Sequence, residues 1–149
     1  MSVIMLTMII EIITSEIDFG VMEKIRNARI KAGIDQVELA QRVGVSEGYI
    51  GNIENPKIDA KVNIRMLGRI AIALDLNSYN DLIPNEVKSH DLVIIKLRLI
   101  ETNSRKHVMN NIGVIPKRFD VLDVTPISEH EFLQRKKNKT FRYCKIIKE

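Results

Sequence analysis

The sequence of 149 residues has little cysteine and few aromatic side chains. Cys144 is its single cysteine, it contains no tryptophan, and aromatic residues make up 5% of the chain. One cysteine excludes a disulfide framework and a cysteine-rich metal site, which fits a reducing cytoplasm. The histidines do not stand at metal-ligand spacing with Cys144, so we expect neither a metal site nor another cofactor; they are His90, His107 and His130.

Long hydrophobic runs are also missing. The most apolar stretch, Val3 to Ile13, is too short to cross a bilayer, which needs about 20 apolar residues. No Lys or Arg precedes this stretch and no small-residue cleavage site follows it, so we expect neither a signal peptide nor membrane attachment. Its β-branched residues favour a buried strand, while a helix stays open. Translation from Met22 is a further alternative.

Basic charge is concentrated in the C-terminal part of the chain. The net charge is +4 and the isoelectric point about 9.2, which allows an anionic partner. Residues 22–83 contain nine basic and eight acidic side chains, whereas residues 84–149 contain fourteen basic and eight acidic ones. A nearly neutral segment 22–83 should bind non-specific DNA weakly by itself.

The segment from Asp35 to Glu54 has the pattern of two short helices joined by a tight turn. Asp35 followed by Glu38 is a variant of the capping box that opens a helix. Gly44 stands where this helix must end and the chain needs a left-handed residue. Apolar positions recur between them at helical spacing, namely Leu39, Ala40 and Val43.

The second helix of this segment combines a buried face with an open one. Ser46 is a good N-cap, and Ile50 and Ile53 are placed to be buried. The outward positions are Glu47, Gly48, Gly51 and Asn52. Two helices joined by a glycine turn, with the leading edge of the second helix unburied, are typical of a DNA-reading helix-turn-helix.

Residues 22–83 resemble the lambda-repressor-like helix-turn-helix family, also called the Cro/repressor or xenobiotic-response-element type. The resemblance covers about two-fifths of the chain and says nothing about residues 1–21 or 84–149. It implies five short helices and a buried ion pair between Arg29 and Glu54. The residues that carry it are Arg26, Arg29, Gly33, Gln36, Glu38, Leu39, Ala40, Val43, Gly44, Val45, Ser46, Ile50, Ile53, Glu54, Asn55, Leu67, Ile70, Ala71 and Leu74.

The resemblance and the exposed helix face together predict a set of DNA contacts. Asn52 can pair with adenine, and Glu47 can accept a hydrogen bond from cytosine. The resemblance implies that Gln36 approaches the phosphate backbone, where it can also brace the recognition helix. The complete predicted set is Gln36, Arg42, Ser46, Glu47, Gly48, Tyr49, Asn52, Asn55 and Lys57.

The apolar periodicity predicts the helices of this domain outside the turn. The first helix is expected from Met22 to Ala32, with Gly33 ending it. A fourth helix is expected from Val62 to Leu74, and a fifth from Tyr79 to Ile83. The packed face of the fourth helix is predicted to consist of Ile64, Leu67, Ala71 and Leu74.

Residues 84–91 are expected to form a linker, and residues 92–149 a small α+β module. Ser128 with Glu131 is a capping box, so a short helix is predicted there, ending near Lys137. The strand candidates are residues 95–99, 112–115, 119–124 and 141–147. The predicted fold class is therefore α+β: a five-helix lambda-repressor-like domain followed by this module.

The sequence predicts a DNA-binding transcriptional regulator that reads a near-palindromic operator on double-stranded DNA as a homodimer. An enzyme is not expected, because no nucleophile–base pairing and no glycine-rich phosphate loop is present. The alternative is an antitoxin-like, protein-binding module. In that case residues 92–149 would bind a protein partner, and the helix-turn-helix would be autoregulatory or degenerate.

Overall fold

The computed structural model describes residues 8–100, 117–137 and 144–147. Four described strands form one antiparallel sheet in the order β3-β2-β1-β4. In chain order they are β1 (Ile9–Ser15), β2 (Leu92–Leu99), β3 (Phe119–Pro126) and β4 (Cys144–Ile147). The N-terminal segment therefore supplies a central strand to a sheet whose other described strands come from the C-terminal part.

The described helices lie mainly between the first two strands. They are α1 (Glu16–Lys31), α2 (Gln36–Val43), α3 (Glu47–Glu54), α4 (Ile64–Ala73) and, after β3, α5 (Glu129–Lys137). A single 3-10 turn, Tyr79–Asp81, follows α4. These helices and the antiparallel sheet confirm the α+β class.

The sheet is covered on both faces. Its first face packs on α1 through Met22 and the half-buried Phe19; the buried sheet residues of this cluster are Ile10, Ile12, Val93, Ile95, Leu97 and Phe119. The opposite face carries Glu11, whose carboxylate pairs with Arg135 of α5 at 3.6 Å. Burial on both faces explains why β1 is an almost continuous apolar run.

A second core joins the helices of the N-terminal half. Its fully buried side chains include Ile25, Leu39, Ile50, Ile53, Ile70 and Leu82. They come from α1, α2, α3, α4 and the turn after α4, so each short helix is stabilised by burial against the others rather than by its own length.

The first helix starts at Glu16, six residues before the predicted start at Met22. Ser15 ends β1 in extended conformation and caps α1, because its Oγ accepts a hydrogen bond from the backbone N–H of Asp18 at 3.3 Å. Acidic residues in the first turn, Glu16 and Asp18, suit the positive end of the helix dipole. The strand thus passes into the helix without a loop.

Two further expectations about the helices hold only in part. The fifth helix, expected from Tyr79 to Ile83, is a 3-10 helix of three residues, Tyr79–Asp81. Ile64, placed on the packed face of the fourth helix, is 89% exposed, because it is the first residue of α4 and lies on the side away from the core. The other three predicted residues, Leu67, Ala71 and Leu74, are buried, and Ile70 is buried with them.

The C-terminal elements agree in part with the sequence. Ser128 caps α5 by accepting from the backbone N–H of Glu131 at 3.1 Å, as predicted. β3 runs on through Pro126, which an outer strand of a sheet tolerates. The predicted strand over 112–115 and the first part of the predicted last strand, residues 141–143, lie outside the described residues.

Candidate nucleic-acid interface

The turn between α2 and α3 is fixed by local hydrogen bonds. Asp35 Oδ1 accepts from the backbone N–H of Glu38 at 2.8 Å, which caps α2 as predicted. The Glu38 carboxylate pairs with Arg42 at 2.8 Å instead of reaching back to close the capping box. Gly44 has φ of 84°, the left-handed conformation that ends α2, and its N–H donates to Ala40 O at 2.8 Å.

The helix α3 presents one face to the core and the other to solvent. Ser46 Oγ accepts from the backbone N–H of Tyr49 at 3.2 Å and so fixes the start of the helix. Ile50 and Ile53 are buried in the helical core. The exposed positions are Ser46, Glu47, Gly48 and Asn52, so the leading face of α3 is accessible to a ligand.

A buried ion pair holds α3 from behind. Arg29 on α1 donates from Nε to Glu54 Oε2 at 2.7 Å and from Nη2 to Glu54 Oε1 at 2.8 Å. The remaining Nη1 of Arg29 donates to Ile34 O at 2.8 Å. A guanidinium fork on a carboxylate fixes both distance and angle, so α3 has a defined orientation on α1.

Gln36 holds α3 at a second point. Its Nε2 donates to Glu54 Oε1 at 3.3 Å, which links the start of α2 to the end of α3. Its Oε1 lies 3.5 Å from the position that a Cβ on Gly51 would occupy, so the amide rests over the backbone of α3. A phosphate contact by Gln36 stays a prediction.

An open groove of about 660 Å³ runs along the exposed face of α3. Predicted DNA-contacting residues that line it are Gln36, Glu47, Gly48, Asn52 and Asn55. Arg118, which precedes β3, also lines this groove. The structure thus brings five of the nine predicted residues together in one concave surface.

The other four predicted residues, Ser46, Tyr49, Arg42 and Lys57, do not line this groove. Tyr49 is half-buried against the helical core. Arg42 pairs with Glu38, and the backbone N–H of Lys57 donates to Asn55 Oδ1 at 2.9 Å. Their predicted contacts with DNA stay predictions.

Arg118 was not among the predicted residues of this site. Its Nη1 donates to the backbone carbonyl of Glu54, and its Nη2 donates to the carboxylate of Glu23 on α1. The pKa of the neighbouring Arg26 is lowered, mainly because its side chain is buried and secondly because the positive charge of Arg118 is close to it. Arg118 lies 64 residues beyond Glu54 in the chain, so no local pattern could have revealed the contact.

The family comparison agrees with this geometry. Residues 25–79 match the family model described as Helix-turn-helix. This segment is a helix-turn-helix domain of the lambda-repressor-like type. Domains of this type are DNA-binding regulatory domains, in which the second helix of the motif enters the major groove. Neither curated proteins nor solved structures gave a match to the chain.

Within residues 8–100, 117–137 and 144–147, no three His, Cys, Asp or Glu side chains come together as a metal site. In the same part of the chain, no helix has the length and apolar character needed to cross a membrane. The groove beside α3 is the candidate functional site, because five of the predicted DNA-contacting residues line it.

Proposed function

We propose that this protein is a transcriptional regulator that reads a near-palindromic DNA operator as a homodimer. The observation that carries the proposal is the accessible outer face of α3, with a capped start and an end held by a buried ion pair. A helix that is rigidly held on one side and open on the other can enter the major groove without rearrangement.

The proposed base contacts come from Asn52 and Glu47. Both line the groove along α3 and both are exposed. An Asn amide can pair with adenine N6 and N7, and a carboxylate can accept from cytosine N4. Glu47 also repels phosphates, so its contribution would be to base selection rather than to affinity. Gly48 between them leaves space for a close approach to the bases.

Dimerisation follows from the small size of the reading surface. One recognition helix contacts only a few base pairs, and two copies about 34 Å apart provide a site of useful affinity and specificity. The nearly neutral segment 22–83 makes this need stronger, because its attraction to the phosphate backbone is weak.

Selection from random duplex DNA with the full chain tests this proposal. We expect a motif with two-fold symmetry, bound by two chains per duplex in sedimentation experiments. Asn52→Ala should relax the preference at one position of each half-site by about 1–3 kcal/mol. Asn85→Ala is the matched control, because Asn85 is exposed beyond the helix-turn-helix domain. A half-site bound by a single chain would refute the dimer.

The same selection separates this proposal from the antitoxin-like alternative. A protein-binding module with a degenerate helix-turn-helix would enrich no motif and would copurify with a stable partner through residues 92–149. Enrichment of a motif that Asn52→Ala leaves unchanged would instead refute the assignment of Asn52 as a base-reading residue.

A further inference from the structure

Arg118 joins the sheet to α3, whose exposed face lines the groove, and to α1, which holds α3 through the Arg29–Glu54 pair. It stands one residue before β3, and its side chain is only 17% exposed. One guanidinium nitrogen donates to the main-chain carbonyl of Glu54, the last residue of α3. A second guanidinium nitrogen donates to the carboxylate of Glu23 on α1. The planar guanidinium thereby fixes three elements relative to one another.

The carbonyl that Arg118 contacts is one that α3 cannot satisfy internally. The last carbonyls of a helix lack an intrahelical partner and carry partial negative charge, so a cation there is stabilising. No basic residue occurs in the last turn of α3. The side chain of Glu54 is already engaged by Arg29 and Gln36, so Arg118 adds a separate, main-chain anchor at the helix end.

The sheet that carries Arg118 is itself fixed to α1 at another point. β1 passes directly into α1 at Ser15, and the backbone N–H of Glu16 donates to Asp91 O at 2.8 Å, just before β2. A displacement of the sheet relative to α1 would therefore move Arg118 against the end of α3. Residue 118 lies outside the matched segment 25–79, so this anchor is an addition to the helix-turn-helix domain.

We propose that Arg118 is a positioning residue through which the sheet sets the orientation of the DNA-reading helix. The inference rests on the proposed function and deepens it, since it assigns the C-terminal sheet a role in operator reading. Arg118 acts through the end of α3 and does not contact DNA. Its charge and its location in the groove make direct phosphate binding the competing explanation.

Three variants of the full chain distinguish these explanations. Arg118→Met removes the donors and keeps the length of the side chain. Glu23→Ala removes the carboxylate that orients Arg118 and leaves the guanidinium in place. Lys117→Met is the matched control, because it removes the same charge from the adjacent residue, whose side chain is 70% exposed and paired with Asp120.

The readouts are the ratio of specific to non-specific affinity and the dependence of specific affinity on salt. For positioning, Arg118→Met and Glu23→Ala should both lower the ratio at least about fivefold, the effect of one impaired base contact. The salt slope should stay unchanged, since no phosphate contact is lost. Lys117→Met should leave the ratio unchanged.

Three outcomes would overturn the inference. If Arg118 bound phosphate, Arg118→Met would reduce the salt slope by about 0.9, and Glu23→Ala, which removes a negative charge, would strengthen binding. An unchanged ratio in both variants would show that the anchor does not matter for reading. If the wild-type chain selects no duplex, the proposed function itself is refuted. If the wild-type chain binds DNA selectively and Arg118→Met binds with the same selectivity, only the positioning role of Arg118 is refuted. If Arg118→Met does not fold, Glu23→Ala still decides the question, with circular dichroism as the folding control.

Discussion

Breaking the buried ion pair between Arg29 and Glu54 should lower the free energy of unfolding far more than breaking an exposed ion pair would. Arg29→Met would remove both guanidinium hydrogen bonds from the Glu54 carboxylate, which is 1% exposed. The carboxylate would keep the longer hydrogen bond from Gln36 at 3.3 Å and the charge of Arg26 nearby. Removing one member of a buried pair costs about 3–5 kcal/mol, because the other charge stays buried without compensation. For a chain of this size, that loss corresponds to a fall in melting temperature of roughly 6–20 °C.

A double-mutant cycle separates the pair interaction from the two single losses. Glu54→Leu should cost about as much as Arg29→Met, because it strands the guanidinium. The double variant should be far more stable than the sum of the single effects predicts, since no unpaired charge is left. The measurement is thermal and urea unfolding of the full chain followed by circular dichroism.

The exposed pair between Glu38 and Arg42 supplies the control. Its distance of 2.8 Å is similar, but its side chains are 47% and 41% exposed. Glu38→Ala should therefore change stability by only about 0.3–0.5 kcal/mol. If Arg29→Met cost less than about 1 kcal/mol, or if the two single losses simply added in the double variant, the reasoning from burial would be refuted.

Three glycines give further predictions that unfolding experiments can check. Gly44→Ala should destabilise by about 1–2 kcal/mol, because φ of 84° is unfavourable for any residue with a Cβ; an unchanged midpoint would contradict this. Gly48→Ala should instead stabilise by about 1 kcal/mol, since the new Cβ would meet no atom within 4 Å outside its own stretch of helix and alanine favours the helix. Gly20→Ala should destabilise by up to about 2 kcal/mol, because its Cβ would lie 2.6 Å from Pro84 Cγ and the clash exceeds the gain in helix propensity. A more stable Gly20→Ala variant would show that Pro84 can move aside.

The features that could be predicted from the sequence are those determined within one turn of helix. The caps at Asp35, Ser46 and Ser128 each place an acceptor near the backbone N–H three residues later, and all three are present. Gly44 likewise adopts the expected left-handed conformation. Such signals depend on neighbouring residues, so tertiary context did not change them.

The features that could not be predicted depend on contacts between distant parts of the chain. Ile12 pairs with Ile95 in β2 and with Cys144 in β4, and no local pattern identifies either partner. Arg118 reaches Glu23 across 95 residues for the same reason. The division of the chain at residues 22, 84 and 92 stays a prediction, although α1 begins before the first of these positions.

The uninterrupted passage from β1 into α1 has a consequence for how the chain can be shortened. A fragment starting at Met22 would lose the strand that separates β2 from β4, together with the first six residues of α1. The core between the sheet and α1 would lose Ile10, Ile12 and Phe19, and α1, which holds α3 through the Arg29–Glu54 pair, would lose the sheet that packs against it. Removing the N-terminal residues to obtain a minimal DNA-binding fragment would therefore destabilise that fragment.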